Sequence, residues 1–334
     1  MLLSTLEHLG HNSSKLGLGG LHFGAFLNEY QAIELVHEAL DQNIFFFDTA
    51  PIYGNGKSEL ILGNALRGKR SRAFISTKAG LASITRPDGF FGVKVERLTK
   101  NFLKTSVESS LRALRTDTVD LLQLHAFDHH TPIFDLFQGL EELIEEGKIR
   151  YFGSSNYNLE ELEILLKSLP ESLRKSYVSF QVHYNLLERR AEEELIPLCE
   201  NNRIGIIVNR ALARGILCGK YVTDKEFPER SRGSISPRVR ESITPEIIKL
   251  VSALNDFAQS NGRSCSELAL SWVMRRPEIS MVLLGARDCG QLKISANAST
   301  WNLSSNQLAE IEQIVAKFQF GESVRQMPKF FFEQ

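Results

Sequence analysis

Short apolar runs alternate along the chain with longer amphipathic segments. The short runs are rich in β-branched and bulky apolar residues, a composition typical of strands that are buried on both faces. This pattern predicts eight strands: Leu16–Gly20, Ile44–Asp48, Ala73–Lys78, Val119–His125, Ile149–Ser154, Val178–Val182, Gly205–Asn209 and Met281–Gly285.

The longer segments carry apolar residues three or four positions apart, the spacing of one helix face. Two of them have start signals. Asn158 stands before one helix, and Ser264 with Glu267 three positions later has the spacing of a capping box. The predicted helices include Leu159–Leu169, which Asn158 starts, and Glu29–Asp41, Asn101–Leu114, Pro132–Glu146 and Ala191–Asn201.

Strands that alternate with helices imply a parallel sheet, either open or closed. An open dinucleotide-binding sheet would need Gly-x-Gly-x-x-Gly after its first strand. The nearest match, Gly17–His22, lacks the third glycine and lies within the strand itself. We therefore predict an α/β fold, a single (β/α)₈ TIM barrel that occupies residues 1–334 as one domain. Residues 5–14 are predicted to form an N-terminal β-hairpin cap.

Thr223–Ser242 is a long segment rich in Arg, Ser and Pro, and Gly80–Lys94 is a second long segment of this kind. They are predicted to be irregular loops. Loops of this length in compact domains are often lids or binding loops.

Composition excludes several classes of function. The 334 residues are 43% hydrophobic and 24% charged with a formal net charge of -1, which gives no reason to expect a nucleic-acid or membrane partner. The four cysteines fit neither a zinc motif nor a disulfide framework, so we expect free thiols and no metal. With no signal peptide and no apolar span of about 18 residues, a cytoplasmic protein is expected.

Ionisable residues stand where three predicted strands end: Asp48, Lys78 and His125, with Tyr53 just after the first. Each alone has an ordinary explanation, as a helix cap, a solvated lysine or a packed histidine. In a parallel barrel, however, the carboxyl ends of all strands meet at one mouth, where active sites lie. The group together predicts a catalytic site.

These side chains suit the donation of a proton to a carbonyl oxygen while hydride reaches its carbon. Tyrosine, with a pKa of about 10, is a weak acid. An ammonium about 4 Å away favours the phenolate by up to about 4 kcal/mol at an effective dielectric of about 20, so Lys78 is expected to lower the pKa of Tyr53. Asp48 supplies a counter-ion for Lys78, and His125 is expected to orient the carbonyl.

Several motifs follow one another along about residues 5 to 317. They include Phe47-Asp48-Thr49-Ala50-Pro51-Ile52-Tyr53-Gly54, Ile75-Ser76-Thr77-Lys78, Asp120-Leu121-Leu122-Gln123-Leu124-His125, Gly153-Ser154-Ser155-Asn156 and Leu212-Ala213-Arg214-Gly215. Together, and in this order, they resemble the aldo-keto reductase family. The resemblance implies NADPH-dependent reduction of aldehydes or ketones to alcohols, with Tyr53 as the proton donor.

The resemblance also implies cofactor contacts. Ser155, Asn156 and Gln181 are expected to contact the nicotinamide amide, and Leu212, Arg214 and Gly215 the pyrophosphate. Gly285, Arg287 and Gln291 are expected at the adenosine end, where the guanidinium of Arg287 suits a 2′-phosphate.

Two positions depart from the family pattern. Asn209 replaces a common aromatic residue that stacks on the nicotinamide, and Ile294-Ser295 replaces a Glu-Asn pair near the adenine. Because an aromatic stack adds about 0.5–1.5 kcal/mol, Asn209→Tyr is predicted to tighten NADPH binding a few-fold. Side chains alternate along a strand, so Arg210 is expected to point away from the nicotinamide.

Other functions fit the same fold less well. Potassium-channel β subunits, cofactor-sensing partners of a membrane protein, resemble this family. A phosphate-binding isomerase barrel would not need the Tyr53–Lys78–Asp48 group. The substrate and the oligomeric state stay open. The pocket is expected to include His22, Phe23, Phe90, Phe91, Phe127 and Asp128.

Overall fold

The computed structural model describes residues 14–85, 91–222, 226–229, 231–318 and 332–333. The predicted N-terminal hairpin lies outside these residues except for Ser14, as does Phe90. None of the described helices is both long enough and apolar enough to cross a membrane.

Eight parallel strands close into a barrel in the order β1-β10-β9-β8-β7-β6-β3-β2. The predicted barrel is confirmed, and each predicted strand end lies within two residues of the observed one. The barrel strands are β1 (Leu16–Gly19), β2 (Phe46–Asp48), β3 (Phe74–Ala79), β6 (Val119–Leu124), β7 (Ile149–Ser155), β8 (Tyr177–His183), β9 (Gly205–Asn209) and β10 (Ile279–Leu284).

Helices surround this barrel. The caps predicted at Asn158 and Ser264 are confirmed as complete capping boxes. The helices are α1 (Glu29–Asp41), α2 (Lys57–Ala65), α3 (Lys100–Leu114), α4 (Ile133–Glu145), α5 (Leu159–Ser168), α6 (Glu171–Arg174), α7 (Leu195–Asn201), α8 (Arg232–Ile235), α9 (Pro237–Glu241), α10 (Pro245–Ser260), α11 (Cys265–Met274), α12 (Cys289–Asn297) and α13 (Ser305–Ala316).

The helix predicted at Ala191–Asn201 is wrong in its first part, which forms a 3₁₀ turn at Arg190–Glu192 before α7 begins at Leu195. Pro197 explains the difference. Proline lacks an N–H and is tolerated only in the first turn of a helix, where that group has no intrahelical partner. A start at Leu195 puts Pro197 in that turn.

Side chains from the strands fill the barrel interior, so the space below the mouth is a packed core and not a channel. The rings of Phe46 and Phe74 stack with centroids 5.3 Å apart. Glycine is needed at position 17 because a Cβ there would stand 2.9 Å from Cδ1 of Phe46. The buried cluster is Phe46, Phe74, Leu121, Val178, Ile207, Met281 and Leu283.

Both predictions of long irregular loops are wrong in part. Within Gly80–Lys94 the chain forms an antiparallel pair, β4 (Leu81–Thr85) and β5 (Phe91–Val95), and a short strand β11 (Phe332–Glu333) pairs with β5. The segment Thr223–Ser242 contains α8 and α9, whose N-caps Ser231 and Ser236 each accept a backbone N–H. Arg232, at the start of α8, contacts His22, which lies just beyond the end of β1. The two short helices therefore lie beside the barrel mouth, next to β1.

Candidate active site

A buried ion pair joins the ends of two neighbouring strands. Asp48 ends β2 and Lys78 lies near the end of β3, and Lys78 Nζ stands 2.5 Å from Asp48 Oδ2. The side chain of Lys78 is 0% exposed and that of Asp48 is 4% exposed, so neither charge is solvated by bulk water. Lys78 also donates to the Thr49 carbonyl oxygen at 3.0 Å.

The second oxygen of Asp48 is held by three donors. Oδ1 accepts hydrogen bonds from Ser76 at 3.2 Å, Gln123 at 2.9 Å and Gln181 at 3.2 Å. These donors offset the cost of burying the carboxylate and fix its orientation. Ser76 and Gln123 were not among the predicted site residues. The signal that marks them is a polar residue within a strand that is buried along its whole length.

Tyr53 lies in a 3₁₀ turn, Tyr53–Gly56, directly beyond β2, with Lys78 Nζ 5.0 Å from its ring centroid. Burial raises the pKa of the Tyr53 phenol, and the nearby Asp48 charge adds to the rise. The Lys78 charge and its hydrogen bond lower the pKa but do not reverse the net increase. The expectation of a net lowered pKa is therefore wrong, because burial outweighs Lys78. The phenol keeps its proton at neutral pH.

His125 follows the last residue of β6, and its ring centroid is 6.0 Å from that of Tyr53 in an edge-to-face arrangement. Burial, followed by the charge of Lys78, holds the pKa of His125 well below its usual value. The imidazole is therefore neutral and has one N–H to donate. The structure thus brings all four predicted catalytic residues together at one mouth.

The three residues predicted to contact the nicotinamide amide lie beside this group. Ser155 Oγ donates to Gln181 Oε1 at 3.4 Å, and Asn156 Nδ2 donates to the His125 carbonyl at 2.8 Å. Asn156 has a φ of 62°, which turns the chain sharply after β7. Gln181 also bonds Asp48, so one network of hydrogen bonds connects these residues to the ion pair.

Asn209 belongs to the same network and does not stand free for stacking. Its Nδ2 donates to Gln181 Oε1 at 3.1 Å, and its Oδ1 accepts a hydrogen bond from His183 Nδ1. Asn209→Tyr would lose both contacts, each worth about 1 kcal/mol, and Gln181, a predicted contact of the nicotinamide amide, would lose the group that positions it. This loss offsets the stacking gain.

These contacts replace the prediction that Asn209→Tyr tightens NADPH binding a few-fold: the variant is expected to bind NADPH no more tightly than the wild-type protein. Fluorescence titration of both proteins measures this. A gain of threefold or more in affinity would show that the amide contacts of Asn209 are dispensable.

Arg210 does not follow the alternation of β9. Its φ of 56° breaks the extended backbone immediately after Asn209. Its positive charge opposes the rise that burial causes in the pKa of Tyr53, and it adds to burial in lowering the pKa of His183 to about 3. Burial lowers the pKa of Arg210 itself to about 9. Strand alternation, on which the expectation that Arg210 points away from the nicotinamide depends, therefore does not hold at this position.

The segment predicted to follow the pyrophosphate, Leu212 to Gly215, has a strained backbone. Ala213, Arg214 and Gly215 are all left-handed, with φ values of 46°, 57° and 90°. Consecutive non-glycine residues in this region are rare, and such strain is typical of functional segments. A Cβ at Gly215 would also stand 3.0 Å from Lys220 Nζ.

The residues predicted to contact the adenosine end follow β10. A Cβ added at Gly285 would lie in open space, with no contact within 4 Å, and Gln291 Oε1 accepts the backbone N–H of Arg287 at 3.2 Å. The Arg287 guanidinium lies 4.6 Å from the Phe26 ring centroid, and its Nε stands 3.3 Å from His22 Nδ1. Arg287 thus extends from this end towards the mouth.

A cavity of about 390 Å³ opens next to Tyr53. Its lining includes Leu21, Phe26, Ile52, Tyr53, Lys57 and Arg232. Among the residues predicted around the pocket, Phe23 is 1% exposed and packs in the core.

Two other predicted pocket residues order the loop beyond β6. Phe127 packs against His129 and Tyr157 with ring centroids 4.8 and 5.2 Å away. Asp128 accepts the backbone N–H groups of Leu98 and His130.

Residues 15–316 match the model of the Aldo/keto reductase family. The chain belongs to this family. The resemblance drawn from its motifs is confirmed, and so is the predicted enzyme class, an NADP-dependent oxidoreductase.

Relatives of this aldo/keto reductase extend over nearly its whole length. Aldo-keto reductase YhdN of Bacillus subtilis (strain 168) is 31% identical over 322 residues, covering 94% of each chain. The structure of glycerol dehydrogenase AKR11B4 from Gluconobacter oxydans has a TM-score of 0.79 and 30% identity, covering 91% of this chain and 92% of that one. An aldo-keto reductase from Klebsiella pneumoniae in complex with NADPH shares the fold, with a TM-score of 0.72, 24% identity and 91% coverage of each chain.

Proposed function

We propose that the protein reduces an aldehyde or ketone to an alcohol with NADPH, and that Tyr53 gives the proton. The observation that carries the proposal is the placement of the Tyr53 phenol against the Lys78 ammonium, which is itself paired with Asp48. His125 stands opposite as a neutral donor. Loss of reduced-nicotinamide absorbance in the presence of carbonyl compounds, and its dependence on Tyr53, tests the proposal.

The residues around the mouth fit the cofactor. Ser155, Asn156 and Gln181 offer hydroxyl and amide groups that match both the donor and the acceptor of a carboxamide. The left-handed segment that carries Arg214 and the guanidinium of Arg287 supply positive charge for phosphates. When bound, the dihydronicotinamide supplies hydride to the carbonyl carbon.

The side chains of this protein supply the remaining chemistry. The Tyr53 hydroxyl donates its proton to the carbonyl oxygen, whose double bond to carbon becomes the single bond of the alcohol. The resulting phenolate is stabilised by the Lys78 ammonium, and water returns the proton afterwards. Burial alone would lower the pKa of Lys78, but Asp48 and Tyr53 raise it by more, so the net shift is upward. Lys78 therefore stays charged. His125 donates to the carbonyl oxygen and orients it.

The pH dependence of reduction follows from the raised pKa of Tyr53. The protonated phenol is the active form, and it persists below its pKa, which lies above the ordinary value of about 10. The kcat for reduction is therefore expected to stay level between about pH 6 and pH 9. A pH profile under saturating NADPH measures it. A decline with an apparent pKa near 7 would contradict Tyr53 as the proton donor.

NADPH is proposed to be preferred over NADH because the family resemblance assigns Arg287 to the 2′-phosphate. One charge-assisted contact is worth about 1.5–3 kcal/mol, or roughly 10- to 150-fold in affinity. Arg287→Ala is expected to weaken NADPH by that factor and to leave NADH nearly unchanged. Fluorescence titration with both cofactors decides the point, since equal losses for the two would mean that Arg287 has a structural role alone.

None of the relatives named above is a channel subunit, and the regulatory alternative has no support. We also propose that the chain is one barrel domain that works in the cytoplasm. Its four cysteines are free thiols in the structure, as expected in a reducing compartment. Cell fractionation tests the location.

A further inference from the structure

A chain of hydrogen bonds leads from the carboxylate of Asp48 to His183, the last residue of β8. Gln181 Nε2 donates to Asp48 Oδ1 at 3.2 Å, and Asn209 Nδ2 donates to Gln181 Oε1 at 3.1 Å. His183 Nδ1 bonds Asn209 Oδ1. His183 and Asn209 are register partners on β8 and β9, so the two neighbouring strands bring these side chains together. The mechanism proposed above does not use His183.

The carboxylate of Asp48 fixes the direction of every bond in this chain. It forms an ion pair with Lys78 at 2.5 Å, and an ionised carboxylate only accepts hydrogen bonds. Gln181 must therefore turn its NH₂ group towards Asp48 and its carbonyl oxygen away from it. Because that oxygen also only accepts, Asn209 must turn its own NH₂ group towards Gln181 and its carbonyl oxygen towards His183.

His183 must consequently carry its proton on Nδ1. Burial, then the charge of Arg210, lower the pKa of His183 to about 3, and the hydrogen bond to Asn209 opposes them only in part. The ring is therefore neutral and has a single N–H. The carbonyl oxygen of Asn209 accepts from this N–H, which selects the Nδ1 tautomer.

The same chain decides which groups Gln181 has left for a ligand. Its Oε1 accepts from Asn209 and, at 3.4 Å, from Ser155, while one of its two N–H groups goes to Asp48. In the described part of the structure this leaves one N–H of Gln181 to offer. A half-turn of the Asn209 amide would set its oxygen against Gln181 Oε1, acceptor against acceptor. The N–H of His183 opposes that turn, because it would then face the NH₂ group of Asn209.

We propose that His183 is a positioning residue: its Nδ1–H holds Asn209, and through Asn209 it holds Gln181 in the orientation that receives the nicotinamide carboxamide. The inference rests on the proposed function. The described lining of the cavity beside Tyr53 does not include His183. His183 is therefore expected to act on the nicotinamide end of the cofactor and not on binding of the carbonyl substrate.

Two variants of nearly equal shape test the donor. His183→Asn keeps an N–H close to the position of Nδ1, since both nitrogens are bonded to Cγ, whereas His183→Leu has no donor. His183→Leu is expected to weaken NADPH binding roughly two- to tenfold, the usual effect of one hydrogen bond. Its kcat is expected to fall by at least that factor, because a misplaced nicotinamide transfers hydride less well, while KM for the aldehyde stays nearly unchanged. His183→Asn is expected to restore both values.

The kinetics use whichever of 4-nitrobenzaldehyde, methylglyoxal and glyceraldehyde the wild-type enzyme reduces fastest, and fluorescence titration gives the dissociation constant of NADPH. Adenosine 2′,5′-bisphosphate, which has the adenosine end of NADPH and no nicotinamide, is titrated by calorimetry. It is expected to bind His183→Leu as tightly as the wild-type protein, a result that general damage to the fold would not give.

A double-mutant cycle tests whether His183 acts through Asn209. In the Asn209→Ala background, His183→Leu is expected to change NADPH affinity by less than about twofold, because the link between the two side chains is already lost. His37→Leu is the matched control. His37 Nε2 donates to the Ala65 carbonyl at 2.9 Å on the helices outside the barrel, so this variant also loses one histidine hydrogen bond. It is expected to keep the NADPH affinity and kcat of the wild type.

The outcomes separate the inference from the proposed function. Wild-type NADPH affinity and kcat in His183→Leu would overturn the inference alone. Equal losses in His183→Leu and His183→Asn, an undiminished effect in the Asn209→Ala background, or equally weakened binding of adenosine 2′,5′-bisphosphate would also overturn it, since each would give His183 a structural role independent of its donor. No turnover of any of the three aldehydes by the wild-type enzyme would overturn the proposed function and the inference with it.

Discussion

Replacing Tyr53 with phenylalanine is expected to lower kcat for carbonyl reduction by about 10²- to 10⁴-fold, the usual contribution of a general acid. The substitution removes only the hydroxyl that gives the proton. The ion pair of Asp48 and Lys78 remains, and so do the three donors on Asp48 Oδ1. Binding of NADPH is therefore expected to stay nearly intact.

The measurement combines steady-state kinetics with fluorescence titration of NADPH. Tyr177→Phe is the control, since Tyr177 is also buried on the barrel and its hydroxyl bonds only Ser154, at 2.6 Å, in the described structure. That variant is expected to lose some stability and to retain its rate. Near-normal kcat in Tyr53→Phe would remove Tyr53 from the role of proton donor.

Lys78→Met is expected to damage both rate and stability. The positive charge that lowers the pKa of Tyr53 disappears, so the phenol becomes a still weaker acid and reduction slows. Asp48, 3% exposed, is left as a buried carboxylate without its cation. Breaking a buried ion pair in this way costs about 3–5 kcal/mol, although the three donors on Asp48 Oδ1 reduce that cost.

Thermal denaturation and kcat are to be measured together for this variant. Lys104→Met serves as the control, because Lys104 pairs with Glu142 and Glu146 at the surface, where a salt bridge contributes about 0–1 kcal/mol. Activity close to that of the wild type in folded Lys78→Met would contradict the role given to the ammonium. An unchanged melting temperature would contradict the contribution to stability assigned to the buried pair of Asp48 and Lys78.

The barrel could be predicted from the sequence because its signals are local. A strand buried on both faces is a continuous apolar run, and helices such as α5 and α11 carry their capping residues beside them. The four residues at the mouth could be placed together for the same reason. Once the strands are known, the ends at Asp48, Lys78 and His125 must meet on one side of the barrel.

Other features depend on contacts that local patterns do not show. Arg232 and Arg287 contact His22 although they are 210 and 265 residues away from it in the sequence. The position of Arg210 is set by one backbone angle that ends the alternation of β9. The net rise in the pKa of Tyr53 depends on burial, which spacing in the sequence does not measure.

The β4–β5 hairpin is a different case, because its signal was present. Pro87-Asp88-Gly89, a sequence typical of a turn, separates Ile84-Thr85 from Val93-Lys94-Val95, and β-branched residues such as these are common in strands. The prediction of an irregular loop gave too little weight to that pattern.

Turnover by the wild-type enzyme tests the central claim most directly. The purified protein is mixed with NADPH and a panel of aldehydes and ketones, and the loss of reduced-nicotinamide absorbance is compared with the alcohol formed. We expect one alcohol for each NADPH consumed with at least one member of the panel. Tight binding of NADPH without turnover of any carbonyl compound would contradict the account.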